Sequence, residues 1–199
     1  MTRCLVTDRH RLCPDAHSFA VARASLVEQA RRAAAAGVDL IHIRERDLDG
    51  ASLAALVADV VAVTRGSTTR VVVNDRMDVA LVSGADGVHL RGDSVSVAAA
   101  RRLLPPPFLV GRSVHTVQEA TAASGADYLI AGTVFASPSK PGAAELLGVD
   151  GLRAIVRATA VPVLAIGGIT PDRIADVLAA GAAGIAAVGL FIDSLKTAS

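Results

Sequence analysis

The residues of this chain that could do chemistry fall in short clusters, most of them just after an apolar run. In Ile41-His42-Ile43-Arg44-Glu45-Arg46, two arginines alternate. Guanidinium groups two residues apart make a fork for a carboxylate or a pyrophosphate. The plainer reading is an exposed ion-pair cluster, with Glu45 pairing to a neighbour. Asn74-Asp75 offers an amide and a carboxylate, and among the residues just after the apolar runs Asp93 is the candidate for a second carboxylate. Mg²⁺ is held by one or two carboxylates plus substrate phosphate oxygens, so this set could hold it. Asn-Asp is also ordinary loop chemistry. Ser113 and His115 flank Val114. A histidine there can move protons near neutral pH, although a lone histidine is more often structural. In Gly167-Gly168-Ile169-Thr170-Pro171, paired glycines would let backbone N–H groups approach an anion, and the following helix start adds a favourable dipole. Gly189, at the end of the last apolar run, is expected beside them. The alternative is a tight turn without a ligand. His42 and His89 lie inside apolar runs and are expected to be interior, hydrogen-bonded and neutral. His10 and His17 read as surface-loop residues.

The elements that must position these groups are legible as eight short apolar runs. They are Cys4–Thr7, Leu40–Ile43, Val71–Asn74, Gly87–Leu90, Phe108–Gly111, Tyr128–Ala131, Val163–Ile166 and Ile185–Val188. They are near-continuous rather than alternating, the pattern of parallel strands covered on both faces. Helix-like stretches lie between them, at Ser25–Ala36, Ala51–Thr64, Thr116–Ser124 and from a Thr170 cap through Pro171 to Gly181. Ala36-Gly37-Val38-Asp39, Ser83-Gly84-Ala85-Asp86 and Ser124-Gly125-Ala126-Asp127 repeat a small-Gly-x-Asp ending that leads into the next strand. Eight βα units predict a closed (β/α)8 TIM barrel, one domain over residues 1–199, in preference to an open doubly wound sheet. At 199 residues the chain is near the ~200-residue floor for this fold, so its loops must be short. Pro105-Pro106-Pro107 reads as a tight turn before the fifth run. Ser137–Leu147 is the longest stretch without a period, as active-site loops often are. In such a barrel the clusters above all fall at the C-terminal ends of the strands, where active sites are built.

Charge and composition narrow the ligand class. Twenty Lys and Arg nearly balance 19 Asp and Glu, for a net charge of +1, so neither a nucleic acid nor a membrane surface is indicated as a partner. Cys4 and Cys13 form no disulfide framework or metal spacing, and Cys4 reads as a buried thiol. No signal-peptide pattern and no run of ~20 apolar residues is present, so a cytoplasmic location is expected. A small phosphorylated ligand is the expected partner, with a homo-oligomer left open.

At this point the motifs match a known superfamily. Besides the clusters already quoted, Asn74-Asp75-Arg76-Met77-Asp78-Val79-Ala80, Gly84-Ala85-Asp86-Gly87-Val88-His89-Leu90, Gly111-Arg112-Ser113-Val114-His115-Thr116, Gly125-Ala126-Asp127-Tyr128 and Ala165 to Pro171 occur in its order. The chain resembles the thiamine-phosphate synthase and TenI superfamily over nearly its whole length. The resemblance implies a (β/α)8 barrel working on thiazole phosphates. It implies that His42, Arg44, Arg46, Asn74 and Ser113 bind substrate. Ser137, Ser139 and Lys140 would do so as phosphate-loop residues, with Gly167, Gly168 and Gly189 binding phosphate. The synthase has Gln-x-Arg-x-Lys where this chain has His42, Arg44 and Arg46. It has two metal-binding aspartates, of which Asp75 matches the first, while Ser94 falls at the second with Asp93 one residue early. His42 to Arg46 and Gly111 to His115 are similar to the TenI-type pattern, in which the residue matching His115 shuttles a proton. The reading favoured from sequence is therefore a thiazole tautomerase that aromatises thiazole carboxylate phosphate without a metal or other cofactor. The alternative is thiamine-phosphate synthase, joining a pyrimidine pyrophosphate to thiazole phosphate with Mg²⁺ on Asp75 and Asp93. A non-catalytic regulator that binds a phosphate ligand is a third reading.

Overall fold

In a computed structural model, which describes residues 1–104, 106–136 and 146–196, strands and helices alternate. They run β1 (Thr2–Val6), α1 (Arg9–Leu12), α2 (Phe19–Ala35), β2 (Leu40–Ile43), α3 (Gly50–Thr64), β3 (Arg70–Asn74), α4 (Met77–Val82), β4 (Gly87–Leu90), α5 (Val97–Leu103) and β5 (Leu109–Val114). Then come α6 (Val117–Ala122), β6 (Tyr128–Gly132), α7 (Gly148–Arg157), β7 (Val163–Ile166), α8 (Ile174–Ala179), β8 (Gly184–Ala187) and α9 (Gly189–Lys196). Eight parallel strands follow one another in sequence order and close into a barrel, the (β/α)8 fold the apolar runs predict.

Contacts divide the chain into two compact units. One holds Cys4–Val88 and Val188–Ser199; the other holds Met1–Arg3 and His89–Ala187. In the first, β1, β2 and β3 pair in register, with Val6 beside His42 and His42 beside Val72. Helix α2 packs on α1, α3 and α9. Leu40 to Ile43 and Val71 to Asn74 are buried throughout, as strands covered on both faces must be. In the second, β5 to β8 pair in register, with Gly111 beside Tyr128 and Ser113 beside Ile130.

The small-Gly-x-Asp repeat has a physical cause. Asp86 Oδ2 accepts from the Val71 N–H at 2.7 Å, and Asp127 Oδ2 accepts from the Val110 N–H at 2.6 Å. Each aspartate enters its own strand and satisfies a backbone donor at the start of the strand before it. Arg70 and Arg101 pair with the same two carboxylates.

Several boundaries differ from the sequence reading. Helix α2 begins at Phe19 rather than Ser25, because the Ser18 hydroxyl caps it by accepting from the Val21 N–H at 3.4 Å. The segment after Thr170 is not one helix. Pro171–Arg173 forms a 3₁₀ turn closed by Arg173 N–H to Thr170 O at 3.0 Å, and only then does α8 start. Strand β5 runs on to Val114, since Arg112 and Ser113 continue the ladder although they interrupt the apolar run. Cys4 is fully buried, and burial pushes its thiol pKa up, which keeps it protonated. No helix among the described residues is long and apolar enough to cross a membrane.

Candidate functional site

In the unit that carries β2 and β3, the predicted residues lie at strand ends. His42 is buried on β2, and its Nε2 donates to Asn74 Oδ1 on β3 at 3.2 Å. Burial, then the nearby Arg44 charge, lowers its pKa to about 3, against which the Asn74 hydrogen bond acts weakly. The imidazole is therefore neutral, as expected for an interior histidine. Arg44 is partly buried and Arg46 exposed, both just past the end of β2. Glu45 is buried and does pair with a neighbour, Arg9, at 3.0 Å.

Asp75 follows β3 in an unusual backbone state. Its φ is 62°, the one positive φ at a non-glycine position among the described residues. The Arg76 N–H donates to Asn74 O at 2.8 Å, so Asp75 is the centre of a three-residue γ-turn. A non-glycine residue in this region costs roughly 1–3 kcal/mol, and such strain gathers at functional sites. Asp8, also at a strand end, caps α1 by accepting from the Arg11 N–H at 3.1 Å.

In the unit that carries β5 to β8, Ser113 Oγ lies 2.8 Å from Nε2 of the buried His89, whose Nδ1 lies 3.1 Å from the Tyr128 hydroxyl. The Ser113 hydroxyl is thus held by His89, which Tyr128 holds in turn. His115 is exposed, and its Nδ1 contacts the Gly132 carbonyl. A carbonyl only accepts, so Nδ1 carries the hydrogen, and the tautomer this selects for the neutral ring has its lone pair on Nε2, where a general base would use it. Asp93 pairs with Arg91 on the same loop. Arg112 pins that loop from β5, donating to Gly92 O at 2.7 Å and Val95 O at 2.6 Å.

Gly167 and Gly168 follow the end of β7 at Ile166, with φ of 102° and 61°. A methyl group on Gly168 would overlap Ala136 O and Phe135, and one on Gly167 would overlap Thr133, so glycine is required at both positions whatever the loop binds. Arg173 donates to Gly168 O at 2.9 Å and lies over the Phe135 ring, its guanidinium carbon 4.7 Å from the centroid. Gly189 is the first residue of α9, with the Arg11 guanidinium close to it. Ser137, Ser139 and Lys140 lie outside the described residues, as does Pro105.

Among the described residues no group of three or more His, Cys, Asp or Glu side chains is placed to hold a metal by itself. That does not count against Mg²⁺, which needs few protein ligands when a substrate phosphate supplies the rest. Asp75, a carboxylate on a strained turn, fits that donor chemistry.

Sequence reasoning missed Thr7, Arg9, Tyr128 and Arg112. Each acts on a residue in another βα unit, and no local spacing signals such a contact.

The family model described as thiamine monophosphate synthase matches residues 5–191. The chain belongs to the thiamine monophosphate synthase family. Within that family, it is 46% identical over 170 residues to the thiamine-phosphate synthase of Methanoregula boonei, covering 84% of this chain and 79% of that one. It is 43% identical over 165 residues to the thiamine-phosphate synthase of Methanoculleus marisnigri, covering 82% and 78%. Among solved structures it is similar to thiamine phosphate pyrophosphorylase from Pyrococcus furiosus, with a TM-score of 0.80 and 32% identity, over 98% of this chain and 94% of that one. These relatives carry the name of the alternative reading from sequence rather than that of the tautomerase.

Proposed function

We propose that this chain is a thiamine-phosphate synthase, joining hydroxymethylpyrimidine pyrophosphate to thiazole phosphate with release of pyrophosphate. The observation that carries the reading is the 43–46% identity, over more than four-fifths of the chain, to proteins named for that activity. In this reading the bond from the pyrimidine methylene carbon to pyrophosphate oxygen breaks, and a bond from that carbon to the thiazole nitrogen forms. Negative charge develops on the departing pyrophosphate, and Arg44 and Arg46 stabilise it. Asp75, with Asp93 or Ser94, would hold Mg²⁺, which supplies further positive charge to the same leaving group. His42, neutral and tied to Asn74, takes the place of the glutamine that reads the pyrimidine. Ser113, held by His89, offers an oriented hydroxyl. Ser137, Ser139, Lys140, Gly167, Gly168 and Gly189 are assigned to the thiazole phosphate.

One observation favours the tautomerase as a second reading. The Nε2 lone pair of His115, with Nδ1 engaged by Gly132, suits a general base. A parallel assay separates the two. Both substrates with Mg²⁺ should give thiamine phosphate and pyrophosphate, and EDTA should abolish the reaction. Metal-independent isomerisation of thiazole carboxylate phosphate, with no joining, would replace the synthase by the tautomerase. Ligand binding without either turnover would point to the regulator.

A further inference from the structure

Strand β2 ends at Ile43, and Arg44 and Glu45 lie beyond its ladder. The Arg44 N–H donates to Thr7 Oγ1 at 2.9 Å. The same hydroxyl donates to Glu45 Oε1 at 2.8 Å. Glu45 also accepts from the Arg9 backbone N–H, at 3.2 Å and 3.4 Å, and from Arg9 Nη1 at 3.0 Å. Arg9 is itself anchored on Asp47, at 2.6 Å and 2.5 Å. The Glu45 side chain is 2% exposed and that of Arg9 is 13% exposed.

Replacing a buried ion pair by apolar residues is often neutral or stabilising, so stability alone is a poor reason for this one. What the network does provide is geometry. It joins the end of β1, the start of α1 and the exit of β2, and it takes hold of the backbone of Arg44 itself. Arg46 follows two residues later on the same segment.

We propose that Arg9, Glu45 and Thr7 form a positioning network that fixes the exit of β2, so that Arg44 and Arg46 meet pyrophosphate with their guanidinium groups already placed. The inference rests on the synthase reading and adds to it a determinant of affinity for one of the two substrates. Fixing the donors before binding spares the ordering cost that a loose loop would incur on each encounter. None of the three network residues needs to touch substrate.

The test uses Thr7→Val, which removes the hydroxyl at similar volume, Thr7→Ser, which restores it, and Glu45→Gln, which keeps shape and removes charge. The dissociation constant of inorganic pyrophosphate with Mg²⁺ and that of thiazole phosphate are measured separately by calorimetry, well below each variant's melting temperature. Thr7→Val and Glu45→Gln should weaken pyrophosphate binding about tenfold, roughly the equivalent of one charge-assisted hydrogen bond. Thiazole phosphate affinity should stay within about twofold of wild type on the same scale. Thr7→Ser should recover most of the loss, and KM for the pyrimidine substrate should rise more than kcat falls. A folded Thr7→Val or Glu45→Gln protein with wild-type pyrophosphate affinity would overturn the inference, as would equal losses for both ligands. Wild-type protein that binds no pyrophosphate would remove the synthase reading and the inference with it. Intact wild-type binding with unaffected variants removes the inference alone.

Discussion

Protonating His42 would place a charge among buried strand residues and close to Arg44, which is why its pKa falls to about 3 from an ordinary value of 6.5. The consequence for stability follows from linkage. In the native state the ring stays neutral down to about pH 3. The unfolded chain takes up that proton below about pH 6.5. The contribution is therefore complete above pH 6.5 and is lost progressively as the pH falls, by at most about 1.4 kcal/mol per pH unit. His42→Gln has no such proton to take up. Between pH 7 and pH 4, urea midpoints should fall more steeply for wild type than for this variant, and parallel curves would rule the mechanism out. The neutral, interior state of His42 was readable from its place in an apolar run, but its partner Asn74 was not, because pairing depends on the register of two strands. Glu45 shows the same limit. Its partners Thr7 and Arg9 belong to the preceding βα unit, a helix and a strand away in sequence, and only the fold brings them together.

Strands and helices were unequally legible. Parallel strands covered on both faces read as continuous apolar runs, and the runs at Leu40–Ile43, Gly87–Leu90 and Val163–Ile166 match β2, β4 and β7 residue for residue. Helices α1, α4 and α5 are four to seven residues long, too short for a 3.6-residue period to emerge. The turn that ends β3 was also hidden, since Asn-Asp is common in loops of every conformation. Its geometry yields a prediction in which an ordinary rule changes sign. Glycine is usually the more destabilising substitute than alanine, because it frees the unfolded chain. At a φ of 62° alanine carries the steric penalty and glycine does not. Asp75→Gly should therefore be more stable than Asp75→Ala by about 1 kcal/mol, as read from denaturant midpoints. Both variants lose the carboxylate, so Mg²⁺-dependent turnover should fall in both by about 100-fold or more. Equal stabilities would remove backbone strain from the account of this turn, and retained turnover would remove Asp75 from the metal set.

For the molecule as a whole, the ring of strands must close between the first strand and the last, and closure is a contact between residues far apart in sequence. Here it depends on close backbone approach. The Thr2 N–H donates to Ala183 O at 2.9 Å, and the next residue, Gly184, lies so near the Thr2 backbone that a methyl group would overlap its carbonyl oxygen. No flexible side-chain end is available to give way, because the obstacle is main chain. Gly184→Ala must then push the start of β1 away from β8 and loosen the ladder there. The expected cost is that of overpacking a tight interior, about 1–3 kcal/mol. Gly125→Ala is the matched control, since a methyl group there meets only Val97 Cγ1 at an ordinary 3.5 Å. In urea, Gly184→Ala should lower the midpoint clearly with the slope preserved, while Gly125→Ala should stay close to wild type. If the two variants behave alike, the approach of Thr2 to Gly184 is not what limits closure, and the small residue at that point answers to some other constraint.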